Sequence, residues 1–455
     1  MARQQPNHRL AALLNEADWN KADLARAVND LGTAQGLRLR YDRTSVAHWL
    51  TGSRPRPPVP DLVALAFSRR SGRLVTTEET GLARPRRTAD APLLRQQPET
   101  GDVMDQLAAL CRADADPARR AVLADSAYSL ATPAAPAWDP GRPAAVRLRA
   151  AGSRATIADV HRLHWMTLVF ADLLERHGGA HARSALTAYL AEDTSSLLAA
   201  PAPPALRREL FTGAGQLTHL IARMSMDAGY HSLAQRYFTT ALGLAREGDD
   251  RRLYSITLRA MSLQAVFLGF RAHAGHLADA AVNTAGPRTD PSTQAFLLSQ
   301  RALTHAHARH RREAVSDLTA AEAQHDRATS PPGPFTSYPR PGLDYQRGRS
   351  LLALGDSSQA AQALTVAAEA RADDRHRSRA LTHARLAETL LSLGRLEESC
   401  LHWHVFLDHY PSLRSAPADQ ALRHLRTSLR GFRRQPHAAA VLRRARTFTP
   451  HHQPA

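Results

Sequence analysis

The chain is 455 residues long, carries a formal net charge of +17, and contains only 5% aromatic residues against 43% hydrophobic residues overall. No apolar run is long enough to span a bilayer, and the start, MARQQPNHRLAALLNEA, has neither an apolar signal core nor a cleavage site. A cytoplasmic protein with no membrane partner is expected, and Cys111 and Cys400 alone make no disulfide framework.

The charge is unevenly placed. Residues 1–75 carry net +6, residues 411–455 net +8, and the long body between them only +3. Lys21 is the sole lysine, so arginine carries the remaining positive charge. Two basic ends flanking a near-neutral body favour a polyanionic partner.

In chain order, Leu10, Leu13, Leu14 and Ala17 mark a first helix. Asn20, with Asp23 three residues on, predicts a capped start for a second, whose buried stripe is Leu24, Ala25, Val28 and Leu31. Gly32 to Tyr41 is longer than an ordinary helix-turn-helix turn. It implies either an extended helix or a short extended segment, RLRY. A third helix begins at Asp42, buries Val46, Trp49 and Leu50, and is stopped by Gly52 and by Pro55, Pro57 and Pro58. Asp61 to Arg70 supplies a closing helix.

The outer face of the third helix holds Arg43, Thr44, Ser45, Ala47 and His48, a composition suited to base edges in a major groove. Arg43, Thr44, Ser45 and His48 are the expected base or near-base contacts. Lys21, Arg38, Arg40, Arg54 and Arg56 are the expected phosphate partners, which position without specifying sequence. Trp49, Leu24, Val28 and Val46 read as core. A helical hairpin with a purely packing role is the competing reading. Residues 1–83 are thus expected to form a helix-turn-helix domain binding double-stranded DNA.

Residues 84–150 read as a proline-bearing linker with short helices, roughly Val103–Ala113 and Pro117–Leu130. From 151 to 447 long amphipathic helices follow in pairs, with a disordered tail expected over 448–455. Turns fall at Gly229, near Arg271, near His310, at Gly355, at Gly394 and near Arg434, the best-defined step being 39 residues. One step is stretched by SPPGPFTSYPRPG. This predicts an all-α chain in which a TPR-like helical repeat superhelix follows the N-terminal domain. Its concave groove is the natural place for a peptide, protein or small-molecule effector. Arg236, Tyr237, Tyr254, Arg259, Gln264, Gln300, Tyr345 and Arg349 sit on helices able to face it. The arginine-rich closing pair (Ala416–Arg430, Pro436–Arg446) reads as a solvated cap, or as a second contact for DNA or an acidic partner.

Cys400, His402 and His404 do not share one helical face, and His305, His307 and His310 fail in the same way, so no metal is expected. No phosphate-loop, dinucleotide, zinc-protease or nucleophile-elbow motif occurs; neither catalysis nor a cofactor is expected.

The order helix-turn-helix, proline break, then ADVHRLHWMTLVFADLLERHGGAHARSALTAYL, MDAGYHSLAQRYFTTALGLAREGDD and MSLQAVFLGF resembles actinobacterial helix-turn-helix/TPR regulators. The likeness runs from Asn7 to about Ala320. It is to streptomycete-type regulators of morphological differentiation and antibiotic production, often repressors. It implies a sequence-specific transcriptional regulator, expected as a homodimer on paired half-sites. The rival expectation is a TPR interaction scaffold without DNA binding of its own.

Overall fold

The computed structural model describes residues 6–34, 39–56, 59–71, 75, 79–82, 102–124, 128–130, 154–331 and 333–450. Among them all regular structure is helical. The chain divides into two compact units, one built on residues 1–96 and the other on 97–125 and 132–452.

The first unit holds α1 (His8–Glu16), α2 (Lys21–Ala34), α3 (Arg43–Leu50) and α4 (Val59–Ser71). Its starts are set by local chemistry. The Asn7 side chain accepts from Leu10 N–H at 3.1 Å and donates to the Thr80 carbonyl at 2.8 Å, tying α1 to the end of the unit. Asn20 accepts from the Ala22 and Asp23 amides, and Asp23 accepts from the Asn20 amide, so the expected reciprocal cap is formed. Helix α2 reaches Ala34, and residues 39–41 run without regular structure, while Arg38 of the RLRY segment lies outside the described residues. Leu10, Leu14, Leu24, Val28, Val46, Trp49, Leu62, Val63 and Phe67 close one apolar core.

The second unit begins with α5 (Val103–Ala115) and α6 (Pro117–Ala124), which pack on the helices that follow. Then come α7 (Ile157–His177) and α8 (Gly179–Tyr189), the latter widening into a π-type turn before α9 (Ser195–Ala199). Five antiparallel pairs follow: α10 (Pro204–Asp227) with α11 (His231–Glu247), α12 (Arg251–Leu268) with α13 (Arg271–Ala285), α14 (Pro291–His307) with α15 (Arg311–Asp326), α16 (Arg340–Leu354) with α17 (Ser357–Glu369), and α18 (His376–Ser392) with α19 (Leu396–His409). A closing pair, α20 (Ala416–Ser428) and α21 (Pro436–Arg446), completes the unit. The chain stays packed past 447, because the Phe448 ring meets Tyr410 at 5.5 Å.

The first helices α7, α10, α12, α14 and α16 adjoin in series, α17 links α16 to α18, and α18 returns to pack on α7, so the helices close into a ring. The seam is polar and buried. The Arg414 amide donates to the His177 carbonyl at 2.7 Å, and its carbonyl accepts from Ala180 N–H at 3.0 Å. Asp227, 1% exposed, accepts from the Gly179 amide, the Ser415 hydroxyl and the Arg377 guanidinium. A Cβ on Gly179 would lie 2.3 Å from the Met224 carbonyl, so only glycine permits this approach.

Candidate nucleic-acid interface

Helix α3 is fixed at both ends. At its start Asp42 accepts from the Ser45 amide and hydroxyl, each at 2.8 Å, and these bonds hold the Asp42 carboxyl below its ordinary range. At its end the Ser53 amide donates back to the His48 carbonyl at 2.9 Å, a closure requiring the φ of +104° that Gly52 adopts. One further clamp comes from α2. The Asn29 side chain donates to the Tyr41 carbonyl at 2.8 Å and accepts from the Tyr41 amide at 2.9 Å, just before α3 begins. The Tyr41 ring in turn meets Trp49 edge-on at 5.1 Å. Asn29 and Tyr41 are contributors the sequence reading missed, because a side chain bridging to a backbone twelve residues on leaves no periodic signal.

With Val46 and Trp49 turned into the core, the outer face of α3 presents Arg43, Thr44 and His48, all exposed. Ser45 is half-buried and its hydroxyl is committed to Asp42, so it serves the cap and is poorly placed as a base contact. Lys21, Arg40, Arg54 and Arg56 are exposed as well. Among the described residues no carboxylate lies in ion-pair contact with Arg43 or with any of these four; Arg38 falls outside the described residues. An exposed helix carrying an unneutralised guanidinium beside hydroxyl and imidazole groups, with further cations flanking it, can engage phosphates and base edges together.

The groove candidates separate by burial. Tyr237 is fully buried, and its hydroxyl donates to Asp114 at 2.8 Å. Asp114 also takes Arg183 at 2.6 Å and Thr187 at 3.0 Å, a closed interior network. Tyr254 is 4% exposed, and Gln264 is sealed with its amide donating to the His231 carbonyl. Gln300 is likewise enclosed, donating to Ser262 at 3.1 Å and accepting from Gln346 at 2.8 Å. These four are core residues rather than lining, since the packed neighbours in the fold cover the faces they occupy. Arg236 is half-buried on α11, the second helix of its pair.

Arg259, Tyr345 and Arg349 are half-buried on first helices of the ring, where neighbours from elsewhere join them. The Arg259 guanidinium stacks 3.8 Å over the Phe296 ring, and Arg371 and Arg349 lie 5.5 and 6.0 Å from the Tyr345 ring. The stretch SPPGPFTSYPRPG folds back onto the ring, placing Phe335 against His219 at 5.3 Å and Tyr338 against Phe296 at 4.9 Å. Arg371, Phe296 and Tyr338 escaped the sequence reading, because they come from separate segments.

The histidine clusters are interhelical contacts: His402 meets His383 and His409 meets His376, each pair with Nδ1 atoms 3.0 Å apart. Burial and the neighbouring imidazole push His383 down to about 3. Cys400 is buried beside them, and among the described residues no group of metal-ligating side chains converges.

A family model described as the SP15 N-terminal domain matches residues 10–83, which span α1 to α4. No curated protein and no solved structure matches the chain.

Proposed function

We propose that the chain is a sequence-specific DNA-binding transcriptional regulator. Its N-terminal unit acts as a helix-turn-helix domain, and its helical body acts as a TPR-like dimerisation and sensor domain. The observation that carries this reading is α3 itself, a short helix capped at both ends and anchored by Val46 and Trp49, with Arg43, Thr44 and His48 on its free face. Its donors match what a major groove offers: a guanidinium for guanine O6 and N7, and hydroxyl and imidazole groups for single acceptors. Lys21, Arg40, Arg54 and Arg56 supply the flanking cations that phosphate contacts need. One such domain makes few contacts, so tight binding calls for two copies on paired half-sites.

The test is recovery of fragmented native DNA by the purified full-length protein, with the double variant Arg43→Ala, His48→Ala as control. A shared, roughly palindromic site that the variant fails to recover is the expected result. Sequence-blind recovery that disappears with modest salt would leave only bulk charge at work and overturn the reading. In that case a regulatory interaction scaffold without DNA binding replaces it.

A further inference from the structure

The ring of first helices gathers arginine from around its circumference. Arg223 comes from α10, Arg259 from α12, Arg349 from α16, Arg377 and Arg385 from α18, and Arg371 from the turn before α18. They are within electrostatic reach of one another: Arg259 feels Arg223 and Arg349, Arg349 feels Arg385, and Arg223 and Arg371 both feel Arg377. Such a convergence of like charge needs anions, and the protein supplies too few. Glu175 lies 3.7 Å from both Arg223 and Arg377, Asp227 lies 2.7 Å from Arg377, and Glu388 lies 2.8 Å from Arg385. Among the described residues no carboxylate is in ion-pair contact with Arg259, Arg349 or Arg371.

Arg301 shows what a structural arginine looks like in the same fold. It sits on the first helix of its own pair and is held by both oxygens of Asp317 at 2.7 Å, which raises its pKa. Arg259 is the opposite case. Burial, with no compensating carboxylate, lowers it to about 10, and its Nε is enclosed without a hydrogen-bond partner. Its plane is fixed by stacking on Phe296, as Arg371 and Arg349 flank Tyr345. Arg371 donates to the Thr382 hydroxyl at 2.7 Å and the Pro341 carbonyl at 3.3 Å, and Arg349 to the Gln346 side chain at 3.3 Å, bonds that hold their planes while the remaining N–H groups stay available to an oxyanion.

The geometry points to a binding site, inside the ring, for a compact and multiply charged oxyanion bearing phosphate or clustered carboxylate groups, with Arg259, Arg349 and Arg371 as its principal ligands. Tyr345, Phe296 and Tyr338 form the aromatic walls that orient them. The anion would supply the missing counter-charge. Arg223 and Arg377 remain tied to Glu175 and Asp227, so they border the site rather than fill it. The claim concerns binding within the body alone and stands whether or not the N-terminal unit binds DNA.

Isothermal titration at low salt tests it, using the full-length protein with inorganic pyrophosphate in one arm and citrate, a compact tricarboxylate, in the other. Saturable binding of either probe is expected, and the arm that binds identifies phosphate or carboxylate as the natural chemistry. Arg259→Gln and Arg349→Gln, each checked by circular dichroism for unchanged helix content, should weaken that binding about tenfold or more. Arg430→Gln, on the exposed C-terminal end, should leave it unchanged. If Arg259→Gln fails to fold, Arg349→Gln carries the comparison. Wild-type protein that binds neither probe, or binding equally affected by Arg430→Gln, overturns the assignment.

Discussion

Asp227 and Arg377, 150 residues apart in sequence, are joined by guanidinium–carboxylate contacts of 2.7 and 2.8 Å where the last pairs of helices return to the first. Burial pulls the Arg377 pKa down, but Asp227 and Glu175 overcome it and hold the guanidinium above its ordinary range. Removing one partner of a buried pair strands the other charge, which costs about 3–5 kcal/mol. Asp227→Ala also frees the Gly179 amide and the Ser415 hydroxyl. It should lower the urea midpoint of the helical body by more than Arg377→Ala does. Equal and small losses from both would mean the ring is closed by apolar packing alone.

A second interior network should behave more independently. Asp114 is fully buried and holds Arg183, Thr187 and Tyr237. Tyr237→Phe removes one donor and should cost about 1 kcal/mol, whereas Asp114→Ala leaves Arg183 unpaired and should cost about 3–5 kcal/mol. Chemical denaturation of both variants and of the double variant measures the coupling. Strict additivity would contradict a shared network.

Asn29 gives a prediction that separates shaping α3 from touching DNA. Its two bonds to Tyr41 set where α3 begins, so Asn29→Ala should destabilise the N-terminal unit by about 2 kcal/mol. On the proposed function it should also weaken operator binding while leaving the salt dependence of that binding unchanged, since no phosphate contact is lost. Lys21→Ala should do the reverse, reducing the salt slope with little effect on stability. Anisotropy titrations over a salt series read both quantities. An unchanged slope in Lys21→Ala would remove it from the phosphate contacts.

Acidification should loosen the helical body through its buried histidines. Burial lowers His219 far below its free value, takes His231 and His273 to about 4, and, with His402 beside it, takes His383 to about 3. Each is neutral in the folded state and charged in the unfolded state between its depressed pKa and about 6.5. The unfolded chain therefore binds more protons in that window, and stability falls as pH falls through it. The limit is about 1.4 kcal/mol per pH unit for each fully shielded ring. Denaturation midpoints at pH 7.5 and 5.0 should differ strongly for the wild type and less for His383→Asn. A midpoint flat across this range would show that these rings charge without unfolding.

The sequence itself determined what depends on near neighbours. Asn20 with Asp23, Asp42 before α3 and Gly52 after it fix helix ends through hydrogen bonds spanning a few residues, and the stripe Leu24, Val28, Leu31 declares its buried side by spacing alone. The turns at Gly229, Gly355 and Gly394 were legible for the same reason, each adopting a positive φ between paired helices. Which face of a long helix is covered is a different matter. Tyr237 and Gln300 sit on helices that looked able to line a groove, yet Asp114 from α5 and Gln346 from α16 claim them. Arg259 and Arg349 were legible as residues on helices able to face a groove, but that Arg371, from the turn before α18, shares the Tyr345 ring with Arg349 is decided only by packing. Helix caps are local free-energy minima that a short segment can select by itself. Burial, counter-charge and the seam at Asp227 are set by partners dozens to hundreds of residues away, and only the closed tertiary fold decides them.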